Sequence, residues 1–586
     1  MKSLVVDIVN QALDSLRADG TLVDQGATTA QVERTRGESH GDFATPVALS
    51  LARLMKRKPR DIALLIVERL PTSVEIDKVE VAGPGFINFF LAKAALGSVV
   101  AEVLSKGAAF GRTQTGKGLP IQVEFVSVTP TGPLHVGHGR GAAYGAALAN
   151  LLEAAGFDVQ REYYINDAGR QMDILAVSVW LRYLQQCGES VPFPENAYQG
   201  AYIGIIAAML RDTHGGSLHC DAEKVLESLP ADGSAGGDKE AYIDAIIARM
   251  RALLGEKNFA IVFAAGLDFI LEEIRTDLET FGVRFDRWYS ERSLLESGAI
   301  ERVAKRLGEA GHTYKKDGAL WFQSTSFGDD KDRVIIRRSG VPTYFASDIA
   351  YHMEKFERGF KRVIDVWGAD HHGYVARVKG ALAALGQDPD AFEVPIVQMV
   401  HLYRGDNKAY MSTRKGEFVT LRQLREEVGN DAARFFYVIR RCEQHLDFDL
   451  DLAKSQSNDN PVYYLQYAHA RICSVLRQAN ERGYRTDSSI EELDMTQLKE
   501  PQEWSLMRTL SRFPDTVDAA ANAREPHQIA FYLREVANEF HAYYNAHQFL
   551  VSDEPVRNAR LALNRATRQV LANGLALLGV SAPEAM

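Results

Sequence analysis

The chain has 586 residues and a mass of 65.0 kDa, too long for one hydrophobic core and long enough for three or four domains. Its 46% hydrophobic and 25% charged residues are ordinary for a globular protein, and a net charge of −10 excludes a uniformly basic polyanion binder while leaving room for a local basic surface. Four cysteines, Cys187, Cys220, Cys442 and Cys473, lack Cys-x-x-Cys spacing, which fits a reducing cytoplasm and argues against a disulfide framework or a zinc ribbon.

The first residues, Met1 to Asp7, soon mix charge into a helical pattern, and no apolar run approaches the roughly 18 residues of a membrane span. A soluble intracellular protein is expected. Residues 1–108 read as a small α/β unit, with helical patterns at 5–16, 43–55 and 60–70. A strand pair near 79–81 and 86–90 follows, turned by Gly83-Pro84-Gly85. Gly107, Gly111, Gly116 and Gly118 mark a linker.

Strands then alternate with helices, the pattern of a parallel sheet, within a second unit at 119–450. Strand 121–128 leads to helix 138–155 and strand 158–165; a later half has strand 363–366, helix 372–385 and strand 395–401. A mainly helical insertion at about 175–300 separates the halves, and 232–238 reads as a mobile surface loop within it. After 451 the pattern is long helices only, 461–482, 503–522, 527–544 and 556–578, a helical bundle.

The chemistry concentrates at His135-Val136-Gly137-His138, where strand 121–128 and the turn Thr129-Pro130-Thr131-Gly132-Pro133 hand over to a helix. A helix N-terminus carries free N–H groups and partial positive charge, which suit phosphate. Gly137 lets a nucleotide approach the backbone, and imidazoles donate to phosphate oxygens. The same pair also fits a metal site or two helix-capping histidines. Gly368-Ala369-Asp370 follows a later strand, so both turns belong at strand carboxyl ends, where parallel sheets bind ligands.

His135-Val136-Gly137-His138 resembles the His-Ile-Gly-His signature of class I aminoacyl-tRNA synthetases. The words around it resemble the bacterial arginyl-tRNA synthetases: Val123-Glu124-Phe125-Val126-Ser127, Tyr164-Ile165-Asn166-Asp167-Ala168-Gly169, Pro342-Thr343-Tyr344-Phe345-Ala346-Ser347-Asp348, and Val366-Trp367-Gly368-Ala369-Asp370-His371-His372. That resemblance implies a Rossmann-like catalytic domain between a small N-terminal α/β domain that reads the tRNA D-loop and a C-terminal helical anticodon-binding domain. It implies arginine, ATP with Mg2+, and tRNA(Arg) as substrates and partners, no tightly bound cofactor or protein-bound metal, no membrane, and a cytoplasmic monomer.

Residue by residue, the resemblance gives His135, Gly137, His138, Gly368 and Asp370 to ATP, and Glu124, Ser127, Thr129, Tyr344 and Asp348 to arginine. The second class I signature, a Lys-Met-Ser-Lys-Ser loop for pyrophosphate, corresponds to Tyr410-Met411-Ser412-Thr413-Arg414-Lys415. Both lysines of that pattern are replaced. Met411 and Ser412 remain for ATP, and Arg414 and Lys415 are the catalytic cations, with Lys415 first and Lys408 as runner-up. Phe86 and Asn88 fall where the family contacts the D-loop, and Tyr463, Tyr467 and Tyr544 where unpaired anticodon bases would stack. A tyrosine stripe at helical spacing also suits a helix core. Thr129 stands where the family has an asparagine that holds the α-amino group, and it offers one oxygen but no amide. Alternatives are another class I synthetase or nucleotidyltransferase, and a tRNA-binding paralogue without activity.

Overall fold

A computed structural model describes residues 2–23, 28–35, 40–405, 407–409 and 418–586. Met411, Ser412, Arg414 and Lys415 lie outside the described residues.

The N-terminal unit is a four-stranded antiparallel sheet in the order Glu33–Arg34, Phe43–Thr45, Phe86–Leu91, Ile76–Ala82, packed with helices Lys2–Ala18, Val47–Met55 and Pro59–Glu68. One helix over 43–55 is corrected to a strand followed by a helix. Pro46 has no N–H and disfavours helical backbone at Thr45, so the two elements part there.

The central unit is a five-stranded parallel sheet: β1 (Pro120–Glu124), β2 (Asp158–Ile165), β3 (Arg287–Ser290), β4 (Arg362–Asp365) and β5 (Phe392–Glu393), in the spatial order β5-β4-β1-β2-β3. Chain order reverses between β1 and β4, which opens a crevice at their carboxyl ends. β1 stops at Glu124, short of the expected 128, because Val126 and Ser127 have φ of 70° and 42°, outside the extended region. Helix α1 (Val136–Ala154) follows, its apolar face rich in alanine, and a Cβ at Gly145 would lie 2.3 Å from the Phe125 ring. Only glycine lets α1 lie that close to the chain leaving β1.

The helical insertion lies between β2 and β3 and includes Ala201–His214 and α2 (Lys239–Thr280), which bends at Gly255. Within it, 232–238 contains a short 3-10 turn, with Asp232 capping Gly233 and Asp238 capping α2. Helix α3 (Tyr344–Glu357) precedes β4, and α4 (Asn430–Val438) packs on α1.

The C-terminal unit is helical, with α5 (Pro461–Glu481), α6 (His527–Ala546) and α7 (Glu554–Leu578) as its long members. The single helix expected over 503–522 is two, Pro501–Ser511 and Phe513–Ala523, because Pro514 in the first turn of the second cannot continue the first. Among the described residues no helix is long and apolar enough to cross a membrane.

Candidate active site

His135 caps α1. Its Nδ1 accepts the backbone N–H groups of Gly137 and His138 at 3.0 and 3.2 Å, and His138 Nδ1 accepts the His135 N–H at 3.2 Å. The two rings stack with centroids 3.4 Å apart. With each Nδ1 an acceptor, each neutral ring carries its proton on Nε2, the atom left to donate to a ligand. Burial pushes the His138 imidazole down to about 3 and lowers His135 as well, so both are neutral donors at pH 7. The cap therefore fixes the tautomer of both rings. Gly137 has a second reason to be glycine, since a Cβ there would sit 2.9 Å from the folded-back His135 ring.

The start of α1 is held from two further sides. Buried Arg140 donates to the carbonyls of Gln398, Arg441 and Gln444 at 2.8, 3.0 and 2.7 Å. Leu421 N–H donates to Leu134 O at 2.8 Å, Val136 N–H to Val419 O at 3.2 Å, and Phe418 turns its edge to the His135 ring.

Three carboxylates stand side by side across adjacent strands, Asp365 and Glu124 at the ends of β4 and β1 and Glu162 within β2, all buried. Helix α3 and the residue after it neutralise this row. Lys355 donates to Glu124 and Asp365, Arg358 to Glu162, Tyr351 to both glutamates, and a ring nitrogen of His352 meets Asp365 at 2.8 Å. Both bonds to Glu124 fall on Oε2, and among the described residues its Oε1 has no partner.

The amino-terminal half of α3 carries Tyr344 and Asp348. Tyr344 is 64% exposed, with its hydroxyl over Gly169. Asp348 Oδ2 accepts the Tyr374 hydroxyl, while Oδ1 has no partner among the described residues. Opposite it lies Glu291, 6% exposed at the end of β3, and no hydrogen bond or ion pair reaches its side chain among the described residues. Burial, with repulsion from Asp348 and Asp167, pushes its carboxyl up to about 7, and burial raises Asp348 too. The buried Tyr164 ring lies within the field of Glu291, Asp348 and Glu124 alike. The cleft thus holds a buried and a half-buried acid with no ion pair to either carboxylate among the described residues, which suits a ligand that brings its own cation.

Sequence reasoning missed Glu291. The available signal was Ser290-Glu291, a helix cap with a first-turn acid at the carboxyl end of a parallel strand. It also missed Tyr374 and Asn166, whose Nδ2 reaches Ser127 O at 3.4 Å. Ser127 Oγ accepts the Tyr164 N–H at 3.1 Å, and the Thr129 carbonyl accepts the Thr131 N–H at 2.8 Å. From the insertion, Tyr202 donates its hydroxyl to Thr131 O at 2.6 Å and so props this turn. Gly368 and Asp370 are exposed at the edge of the crevice, in and just after a two-residue strand paired with Ile396–Val397. Elsewhere Glu189, His219 and Asp221 bring possible metal-ligand atoms within 4.8 Å of one another, but Asp221 is paired with Lys224 and Glu189 with the Ala222 N–H and His219.

Of the RNA candidates, Phe86 is exposed beside the hairpin turn, whereas Asn88 is buried within the sheet. The Gly83 carbonyl accepts from Arg60, which ends the exposed basic run Lys56-Arg57-Lys58-Pro59-Arg60. Tyr463 and Tyr467 stack at 6.0 Å on α5, and the Arg471 guanidinium lies 4.6 Å from the Tyr467 ring and 4.4 Å from that of Tyr544. The structure therefore gathers Tyr467 and Tyr544 around one arginine, with Tyr463 stacked on Tyr467.

Three family descriptions match this chain: "Arginyl tRNA synthetase N terminal domain" over 3–91, "tRNA synthetases class I (R), catalytic domain" over 99–207 and 250–441, and "DALR anticodon binding domain" over 465–586. Among curated proteins it is 61% identical to an arginine–tRNA ligase from Thioalkalivibrio sulfidiphilus and 55% identical to one from Hydrogenovibrio crunogenus, each over 100% of both chains. A solved structure from Campylobacter jejuni described as a putative arginyl-tRNA synthetase superposes with a TM-score of 0.73 at 31% identity, covering 85% of this chain and 100% of that one. The arginyl-tRNA synthetase of Thermus thermophilus shares the fold, with a TM-score of 0.73 at 24% identity over 100% of each chain.

Proposed function

Because the chain belongs to the class I arginyl-tRNA synthetase family, we propose a specific division of labour for its cleft in arginine activation and transfer to tRNA. The reaction joins the arginine carboxylate to the α-phosphorus of ATP, releasing pyrophosphate, and then passes the arginyl group from the adenylate to the 3′-terminal ribose of tRNA(Arg), releasing AMP. Mg2+ enters with ATP as part of that substrate.

The observation that carries the assignment is the pair of facing carboxylates, buried Glu291 and half-buried Asp348, neither of which is ion-paired among the described residues. A guanidinium is a planar fork of five donors that two carboxylates can meet, and it supplies the charge they lack. Tyr344 closes over the fork, and Glu124 Oε1 accepts from the α-ammonium group with Ser127 and Thr129. His135 and His138 donate through Nε2 to the phosphate oxygens on which charge builds. Gly368 and Asp370 take the ribose. Arg414 and Lys415, with Met411 and Ser412, are assigned to pyrophosphate on sequence alone. Tyr463, Tyr467 and Tyr544 with Arg471 stack anticodon bases, and Phe86 with the 56–60 basic run meets the D-loop; Asn88 would support Phe86 from within the sheet. A cytoplasmic monomer fits this role.

Attachment of labelled arginine to tRNA, with lysine and glutamate as controls and with ATP omitted in parallel, tests the reading. ATP-dependent charging by arginine alone is expected. Tight tRNA binding without charging would make the chain a binding protein instead.

A further inference from the structure

Val126 and Ser127 leave β1 with φ of 70° and 42°, two consecutive left-handed residues of which neither is glycine. For a β-branched valine this backbone is a steric outlier, and such strain persists only where the surroundings over-determine it. Hydrogen-bond donors supply that constraint. Asn166 Nδ2 reaches the Ser127 carbonyl at 3.4 Å, and the Tyr163 hydroxyl donates to the Val128 carbonyl at 3.1 Å. The Thr129 carbonyl accepts the Thr131 N–H at 2.8 Å, and the Thr131 carbonyl accepts the Tyr202 hydroxyl at 2.6 Å. Three of these four carbonyls are therefore held by side chains from outside the turn.

The two tyrosines come from different parts of the chain. Tyr163 is fully buried on β2, and its ring stacks on Trp288 with centroids 4.4 Å apart, so it cannot swing away from the turn. Tyr202 stands in the first turn of helix Ala201–His214 of the insertion. Two glycines make its reach possible: a Cβ at Gly200 would lie 2.2 Å from the Tyr202 ring, and one at Gly132 would lie 3.0 Å from its hydroxyl. The Tyr198 N–H donates to Ser178 Oγ at 3.0 Å, which fastens the segment leading into that helix.

We propose that Tyr163 and Tyr202 are positioning residues for the amino-acid subsite, holding the strained arc so that Ser127 and Thr129 stand at the α-ammonium group of arginine. Both act through carbonyls of the turn. Without either donor the arc is freer to relax toward negative φ, which turns Ser127 and Thr129 out of place. The inference rests on the reading above that Ser127 and Thr129 meet that group. It gives the helical insertion a share in arginine recognition through one hydroxyl.

The test is tRNA charging by the full-length enzyme at saturating ATP and tRNA, with 5-guanidinopentanoate as competitor. That compound has the guanidinium and carboxylate of arginine but no α-amino group. Tyr202→Phe should raise KM for arginine about five-fold or more, the order expected for one lost hydrogen bond to a turn, with kcat within about two-fold. The inhibition constant of 5-guanidinopentanoate should stay within about two-fold, because the analogue does not use the displaced groups. Tyr163→Phe should act in the same direction; where it fails to fold, Tyr202→Phe decides. Glycine adopts positive φ freely, so adding Val126→Gly to Tyr202→Phe should recover most of the lost KM. An unchanged KM, equal losses for arginine and the analogue, or a loss that Val126→Gly leaves in place overturns the proposal. A wild type that holds arginine no better than the analogue would instead sink the α-amino reading beneath it.

Discussion

The Lys355 ammonium donates to the Glu124 carboxylate, and both groups are buried. Lys355 also holds Asp365 at 2.8 Å on the neighbouring strand, so one cation serves two acids. Removing one partner of such a set leaves uncompensated charge in the interior, at a cost of about 3–5 kcal/mol. Lys355→Met should therefore lower stability by that order in denaturant titration and lose arginine activation with it. A loss below about 1 kcal/mol would mean that water reaches the row.

Glu291 gives a proton linkage. Its carboxyl is raised to about 7, so the unliganded protein holds this proton below neutrality, and an arriving guanidinium expels it. The sign follows: KM for arginine should fall as pH rises from 6 to 8 and then level off. For the unliganded fold, the stability this group contributes is full below the ordinary carboxylate range and lost as pH rises through about 7. Glu291→Gln should flatten the KM profile and raise KM throughout. An unchanged slope in that variant would remove Glu291 from the site.

His138 supplies a donor and a cap together. His138→Ala should lower kcat by about 10²–10³ through the lost phosphate donor and leave tRNA affinity nearly intact. Because burial holds His138 down to about 3, the kcat profile should show no inflection from it between pH 5 and 8. Equal losses in turnover and tRNA binding would undo the assigned role.

Thr129 lies in the turn between β1 and α1, where its backbone carbonyl is engaged and its side chain is half-buried. Thr129→Asn would add an amide beside Ser127 and should lower KM for arginine. A KM that stays level or rises would show that the turn already satisfies the α-amino group.

Arg471 ties Tyr467 to Tyr544 in the C-terminal unit. Stacking contributes about 1–3 kcal/mol per base, so Tyr467→Ala should weaken tRNA binding by roughly ten-fold or more while kcat at saturating tRNA stays level. Unaltered affinity would assign the stripe to packing.

Local signals were legible where they were strong. The strand-to-helix handover at His135 and the long C-terminal helices follow from periodicity and turn residues. Boundaries moved where one residue overruled a pattern, as Pro46 and Pro514 did, or where strained backbone at Val126 and Ser127 ended a strand early. The charge row was not legible, because Asp365, Glu124 and Glu162 become neighbours only through strand order. Glu291 stayed hidden for the same reason: its partner Asp348 is distant in sequence and close only across the crevice. Asn88, read as an RNA contact from the family motif it shares with Phe86, lies on the same face of its strand two residues further on, but it is buried within the sheet while Phe86 at the strand start is exposed.

Helix α3 is divided in use. Its first half, through Asp348, borders the crevice, while Tyr351, His352 and Lys355, with Arg358 just beyond, are locked to three strands. The chain between Asp348 and Tyr351 is thus a natural splice point. Selectivity for a different side chain can be rewritten upstream of it without disturbing the sheet, whereas any transplant that includes the downstream half must bring the matching acids of β1, β2 and β4.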